Sequence, residues 1–216
     1  MVPDHESPQP MDTCSQRITA IQPTRPDGNQ VVIKVNGKKA ATLSAKSVAE
    51  LGLFVDQPWR NRLAETVTAA ARYDKALHEG LMMLNRRPRS VQQLALKLRH
   101  KGHTNSVIDR VTDRLVELGI LNDHTFGQML IRDTQARKPA GARLLRSKLL
   151  QHGVADQTID RLIEESTIPH DETIEQAKKL VLKSLRTTRR TQEPHVLKRR
   201  LWSMLTRRGF HRSTRP

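Results

Sequence analysis

Residues 86–121, RRPRSVQQLALKLRHKGHTNSVIDRVTDRLVELGIL, predict two short amphipathic helices joined at a glycine. Pro88 stops the preceding helix, and Ser90 with Gln93 has the spacing of a capping box that begins the next one. Gly102 is a suitable C-cap for that helix. The predicted apolar stripes are Val91, Leu94, Leu96 and Leu98 on the first helix and Val107, Ile108, Val111, Leu115 and Leu118 on the second. Two such helices cannot bury both stripes alone, so further copies of the unit are expected.

The pattern recurs along the chain. A shift of 51 residues places Gly102 on Gly153 and the triplet at 108–110, Ile-Asp-Arg, on the same triplet at 159–161. A shift of 107 residues places Gly102 on Gly209. Periodicity of this kind is typical of a tandem array of small helical units whose neighbours supply each other's core. The sequence therefore predicts a mainly helical repeat protein.

The repeat pattern and the composition together predict five segments. Residues 1–15 are expected to be disordered, 16–72 to hold a small β-hairpin or three-stranded meander with a helical lead-in, and 73–121, 122–168 and 169–216 to form helical repeats 1, 2 and 3. Alternation in Val31, Ile33 and Val35, followed by an Asn36-Gly37 turn, predicts the strands. Only six residues follow Phe210, so repeat 3 is expected to lack its last helix.

The helices on either side of repeat 1 can also be placed. Asp56 or Gln57 is expected to cap a long helix with Pro58 in its first turn. That helix is expected to run in two pieces, one through Leu63 and Val67 and one over 73–87. Asp123 is the expected N-cap of the first helix of repeat 2. The other two helices of that repeat are expected over 142–152 and 156–165, separated from the first by a break at 138–141.

The charge is strongly positive, at +16 with a pI near 10.9. Residues 178–216 carry thirteen Lys or Arg against the single acid Glu193. Basicity concentrated in this way favours a polyanionic partner or an acidic protein surface. The chain is poor in base-stacking aromatics, so contacts with DNA, single- or double-stranded, are expected to be mainly to phosphates and weakly sequence-selective.

Several other classes of protein find no support. Cys14 is the only cysteine, and the sequence shows neither a signal peptide nor an apolar run long enough to span a bilayer, so a cytoplasmic protein without membrane contact is expected. We also expect a monomer. His100 and His103 lie near a helix end, where cations are favourable, and no metal site is expected. Asp109 and Asp160 are interpreted as surface ion-pair partners rather than a catalytic pair. No cofactor motif occurs in the sequence. We expect no catalytic activity, and only detected turnover would support an enzyme.

The remaining functional signal is a set of cations around the middle helix of each repeat, here called the basic set. Its members are Arg86, Arg87, Arg89, Lys97, Arg99 and Lys101 in repeat 1, Arg143, Arg146 and Lys148 in repeat 2, and Lys198, Arg199, Arg200, Arg207 and Arg208 in repeat 3. Repetition on corresponding helices would align these cations along one side of a stack. We expect this set to contact a partner protein, DNA or both.

The sequence resembles the RecX family of bacterial recombination regulators. The residues that carry the resemblance are Leu84-Asn85-Arg86-Arg87-Pro88-Arg89-Ser90, Leu94, Lys97, Leu98 and Lys101-Gly102, Leu115, Leu118-Gly119-Ile120-Leu121-Asn122-Asp123, Phe126, Leu144-Leu145, Gly153 and Leu205-Thr206-Arg207-Arg208-Gly209-Phe210. The resemblance covers about residues 73–210. Gly127 departs from the family pattern, which usually has Ala there.

The resemblance implies three tandem three-helix repeats in an elongated, curved body that follows the N-terminal hairpin. It also implies a partner, the RecA recombinase filament on DNA, whose ATPase, strand-exchange and coprotease activities members dampen during DNA repair, recombination and the SOS response. A long repeat with many cations fits such a partner, since it can contact several protomers at once. The alternative is a basic DNA-binding accessory protein that acts without a recombinase partner.

Overall fold

The computed structural model describes residues 16–25, 29–166, 170–187 and 193–210. Within these ranges a three-stranded sheet is followed by nine helices, which confirms the mainly helical architecture with a small N-terminal sheet. The elements are β1 Ile18–Pro23, β2 Gln30–Val35, β3 Lys38–Ser44, α1 Ala45–Glu50, α2 Asn61–Arg86, α3 Val91–His100, α4 Asn105–Glu117, α5 Asp123–Arg137, α6 Ala142–Gln151, α7 Asp156–Glu165, α8 His170–Thr187 and α9 Pro194–Arg207. The disorder predicted for residues 1–15, and the end of repeat 3 beyond Phe210, lie outside the described residues.

The chain divides into two compact units. The first holds the residues up to Leu81 together with His103–Val111, and the second holds Met82–Gly102 and the residues from Thr112 onward. The boundary between the units crosses α2 and α4. The repeat boundaries proposed from the sequence therefore stay predictions.

The sheet of the first unit is an antiparallel meander in the order β1-β2-β3. Asn36 and Gly37 connect β2 to β3 with φ values of 48° and 77°, the positive values that a type I′ turn requires, so the predicted hairpin turn is confirmed. Ile33 and Val35 point into a core that Val67 of α2 completes. The sheet is thus supported by a helix, as a short isolated meander must be.

The segment before α2 differs from the prediction. Residues 57–59 do not begin a helix, because they pair with the start of the sheet: the Ile18 N–H donates to the Gln57 carbonyl at 3.1 Å and the Trp59 N–H to the Gln16 carbonyl at 2.7 Å. Pro58 lies in this bridge rather than in a helical first turn. α2 begins at Asn61 and runs as one 26-residue helix, not as two pieces. Hydrogen bonds to the residues at the start of the sheet therefore outweigh the local signal for a helix N-terminus.

The start of α3 in the second unit follows the predicted cap. Ser90 is fully buried, and its Oγ accepts the Gln93 N–H at 3.1 Å. The Gln93 side chain contacts Nδ1 of His152 instead, so only half of the predicted capping box forms as a cap.

The apolar stripes are confirmed in part. Leu94, Leu98, Ile108, Val111 and Leu115 are buried, whereas Leu96 and Leu118 are about half exposed. Leu96 lies two positions from both buried leucines of α3 and therefore faces away from them. Leu118 lies in the turn beyond the last residue of α4.

The repeat is confirmed at the ends of α3, α6 and α9. Their C-caps are Lys101, His152 and Arg208, which occupy corresponding positions. Each is followed by a glycine in the left-handed region, with φ of 86°, 76° and 79° at Gly102, Gly153 and Gly209. The three helices therefore end in the same way, as glycine C-caps.

The ends of these helices meet in order, through two contacts that we call cap joints. In the first joint, the Oγ of Ser90, the N-cap of α3, donates to the carbonyl of His152, the C-cap of α6. In the second, the N–H of Gly141, the N-cap of α6, donates to the carbonyl of Arg208, the C-cap of α9, at 2.8 Å. A Cβ on Gly141 would overlap the backbone carbonyl of Gly209.

The first helix of repeat 2 begins one residue earlier than predicted. Asn122 is the N-cap of α5, and its Oδ1 accepts the His124 and Thr125 N–H groups. Asp123 is therefore not the N-cap. Its Oδ1 accepts the Val91 N–H of α3 at 2.8 Å instead. Gly127 on α5 is buried, and a Cβ there would overlap the end of the Leu162 side chain.

Gly141→Ala should open the second cap joint. Because the added methyl group would meet backbone atoms, which cannot rotate away, we expect the free energy of unfolding to fall by about 1–3 kcal/mol. Amide hydrogens of α9 should exchange faster. Gly127→Ala is the matched control, since its methyl group meets only the ends of the Leu149 and Leu162 side chains and should leave α9 protected. Unchanged protection of α9 in Gly141→Ala would contradict the joint.

Asp123→Asn should change how stability depends on pH. Partial burial raises the pKa of Asp123, and the Val91 hydrogen bond opposes that rise only in part. A raised pKa means that the folded chain binds the proton more tightly, so this contribution is full below the unfolded pKa and is lost as the pH rises through the folded pKa. Wild type should therefore lose stability relative to Asp123→Asn between about pH 3 and neutrality. Urea unfolding across that range measures the difference, and a constant or opposite trend would refute the assignment.

Candidate binding surface

All fourteen cations of the basic set lie in the second unit. Ten are exposed, and Arg89, Arg146, Lys148 and Arg208 are partly buried. The contacts of the structure bring two of them, Lys148 and Arg208, to one cleft. The exposed members leave a strongly basic surface on the middle helices.

Arg146 is engaged within the fold. Its guanidinium forms ion pairs with Asp160 and, at 3.8 Å, with Asp156, both on α7. This interaction links α6 to α7 and places two carboxylates over the positive charge. Among the basic set, Arg146 therefore has the weakest claim to contact a partner. Asp160 takes part in an ion pair, as the sequence predicts, but with α6 rather than with a neighbour on its own helix.

Arg89 is held at the start of α3. Its Nε is buried and has no hydrogen-bond partner among the described residues. Burial lowers the pKa of Arg89 from its ordinary value, and the positive charge of Arg87 acts in the same direction. Arginine nevertheless keeps its charge, because its ordinary pKa lies so far above neutrality. This side chain can bind an anion only through its other nitrogens.

A cleft of about 310 Å³ lies between α5, α6 and the C-terminal end of α9. Its lining residues are Leu130, Asp133, Thr134, Arg137, Lys138, Leu144, Lys148 and Arg208. Four of them are cations and one is an acid. The Nζ of Lys148 donates to Oγ1 of Thr134 at 3.4 Å across this cleft.

Sequence reasoning missed two of these cations, Arg137 and Lys138. They end the first helix of repeat 2, whereas the basic set was drawn mainly from the middle helices. Their position at the end of α5 and the start of the predicted break at 138–141 was the available signal, because a helix end can bring side chains to a contact between elements. What places them beside Arg208 is a contact over some 70 residues, which no local pattern shows.

Other kinds of site find little support in the described ranges. No group of three or more His, Cys, Asp and Glu side chains there is placed to hold a metal ion. His103 contacts Oε2 of Glu79 at 3.1 Å, and His124 contacts Oε2 of Glu165 at 2.8 Å. Among the helices described, none combines the length and the apolar character that crossing a bilayer requires.

Comparison with known proteins begins with a family model for the first three-helix domain of RecX, which matches residues 76–115. A regulatory protein RecX from Mycobacterium sp. (strain KMS) is 34% identical over 136 residues, covering 62% of this chain and 73% of that protein. The regulatory protein RecX of Thermobifida fusca is 33% identical over 138 residues, covering 64% and 73%. The identical stretches thus extend well beyond the matched domain.

Solved structures agree at the level of the fold. A crystal structure of regulatory protein RecX superimposes with a TM-score of 0.79 at 21% identity, covering 92% of this chain and 96% of that one. RecX from Lactobacillus salivarius gives a TM-score of 0.57 at 18% identity, covering 65% and 90%. The three-helix repeats, the repeated glycine C-caps and the identity to curated relatives lead to one conclusion: the chain belongs to the RecX family of regulatory proteins.

Proposed function

We propose that this protein binds the RecA recombinase filament on DNA and dampens its ATPase, strand-exchange and coprotease activities, thereby regulating recombination and DNA repair. Membership of a family of regulatory proteins is the observation that carries the proposal. The protein acts by binding rather than by catalysis. Its partners are a protein polymer and the DNA inside it.

The distribution of charge supports a polymeric partner. Exposed cations recur on α3, α6 and α9, for example Lys97, Arg143 and Arg199. Each exposed cation contributes little by itself, but several that engage one polymer at the same time multiply their effects. A filament of repeated protomers on a polyanion provides such a set of contacts.

Exposed apolar side chains support a protein component in that partner. Val116, Leu118 and Ile120, at the end of α4 and in the turn that follows, are each about half exposed. DNA phosphates offer such side chains nothing, whereas the centre of a protein interface is mainly apolar. This feature favours the recombinase over the alternative of a DNA-binding accessory protein that acts without it.

Reversing four exposed cations should weaken inhibition of the recombinase. The variant carries Arg87→Glu, Lys97→Glu, Arg143→Glu and Arg199→Glu, and none of these side chains makes an ion pair within the described residues. A loss of about 1.4 kcal/mol in binding free energy raises the midpoint of the titration tenfold. Half-inhibition should therefore need at least roughly ten times more of the variant than of wild type. The measurement is RecA ATPase on single-stranded DNA, with the protein titrated from substoichiometric amounts.

A charge-matched control separates contact from general electrostatics. Arg62, Arg72, Lys75 and Arg161 are also exposed, and their reversal to Glu changes the net charge equally. The control should inhibit nearly as wild type does, and circular dichroism should show equal helicity in all three proteins. Equal inhibition by the two variants would refute the basic set as the contact. Binding to DNA with no binding to free recombinase would favour the accessory-protein alternative.

A further inference from the structure

We infer that the cleft between α5, α6 and the end of α9 binds a phosphate group of the DNA backbone. This inference rests on the part of the proposed function in which the protein contacts DNA, and it assigns that contact to a site. The decisive residues are Arg137, Lys138, Lys148 and Arg208, with Asp133 opposing them. Two of these cations lie outside the basic set.

The charges of the cleft are not neutralised by the fold. Within the described residues none of the four cations forms an ion pair, and Asp133 forms none either. Among the described residues, the Lys148 ammonium group contacts the hydroxyl of Thr134, which is neutral. Four positive charges against one negative charge therefore share a concave space, where mutual repulsion falls when an anion enters.

The chemistry of the lining favours a phosphodiester over a lone carboxylate. Two guanidinium groups and two ammonium groups present many N–H donors, and guanidinium matches phosphate oxygens in a bidentate manner. One carboxylate would leave most of these donors unused. Leu130 and Leu144 add an apolar wall that can lie against a sugar. At about 310 Å³ the cleft suits a phosphate with its sugar, but it is too small for a helix.

The second cap joint holds the cleft in place. The backbone carbonyl of Arg208 accepts the Gly141 N–H, so the start of this cation's side chain is fixed beside α6. Lys148 extends from α6 itself, and Arg137 and Lys138 end α5, which packs on that helix. A site assembled before the ligand arrives loses less entropy on binding.

The test is binding of a fluorescent single-stranded oligonucleotide, without recombinase, over a series of salt concentrations. Arg137→Gln with Lys138→Gln should weaken binding, and the slope of log affinity against log salt should shrink by about 0.7 for one lost phosphate contact. Asp133→Asn should tighten binding, which a purely structural role would not produce. The controls are Arg132→Gln with Arg161→Gln and Asp113→Asn, all exposed positions of the same unit outside the cleft.

Each outcome either supports or overturns the phosphate site. Variants of the cleft that bind DNA as their controls do would overturn the site, and so would a wild type that binds no DNA. Weaker binding to free recombinase with unchanged binding to DNA would show that the cleft takes an acidic protein side chain, and would also overturn it. If wild type fails to inhibit the recombinase ATPase but the two changes still alter DNA binding as expected, the proposed function fails and the phosphate site stands.

Discussion

The second unit depends on hydrogen bonds between the start of one helix and the end of another. Every helix leaves N–H groups without partners at its start and carbonyl groups without partners at its end. The cap joints satisfy a carbonyl at the end of a helix: the His152 carbonyl accepts from the Ser90 hydroxyl, and the Arg208 carbonyl accepts from the Gly141 N–H. They also bring the negative end of one helix dipole to the positive end of the next. Since unpaired backbone groups are costly when they are buried, each joint constrains the two helix ends that it connects.

The same constraint explains where glycine and positive charge recur. A chain that leaves a helix in the left-handed region needs glycine, and the close approach of two backbones leaves no room for a Cβ at Gly141 or Gly209. Two of the three C-cap residues, Lys101 and Arg208, are cations, which are favourable at a helix end. Part of the basicity that appears functional in the sequence therefore serves the fold first. Gly102 shares the backbone conformation but lies in open space, as expected of the first helix in the series.

Local chemistry made most of the fold predictable. Some features depend only on residues close in sequence, so the sequence alone predicts them. These are the Asn36-Gly37 turn, the Ser90 cap and the three glycines that end helices. The prediction at Pro58 was wrong because its N-terminal cap signal is local, whereas its bridge partner, Arg17, lies about forty residues away, directly before β1. The candidate site was less predictable for the same reason. Sequence identifies Arg146 and Lys148 equally well as cations, but only the packing of α7 decides that the first is paired with carboxylates.

The contrast between Arg146 and Lys148 shows how a repeat protein can separate structural from functional charge. The two residues lie two positions apart on α6 and so face different directions. Arg146 faces the acidic third helix of its own repeat, where Asp156 and Asp160 satisfy it. Lys148 faces the first helix and the end of α9, where further cations gather and one acid opposes them. One face of the helix thus holds the repeat together, while the other keeps an excess of positive charge that only an external anion can balance.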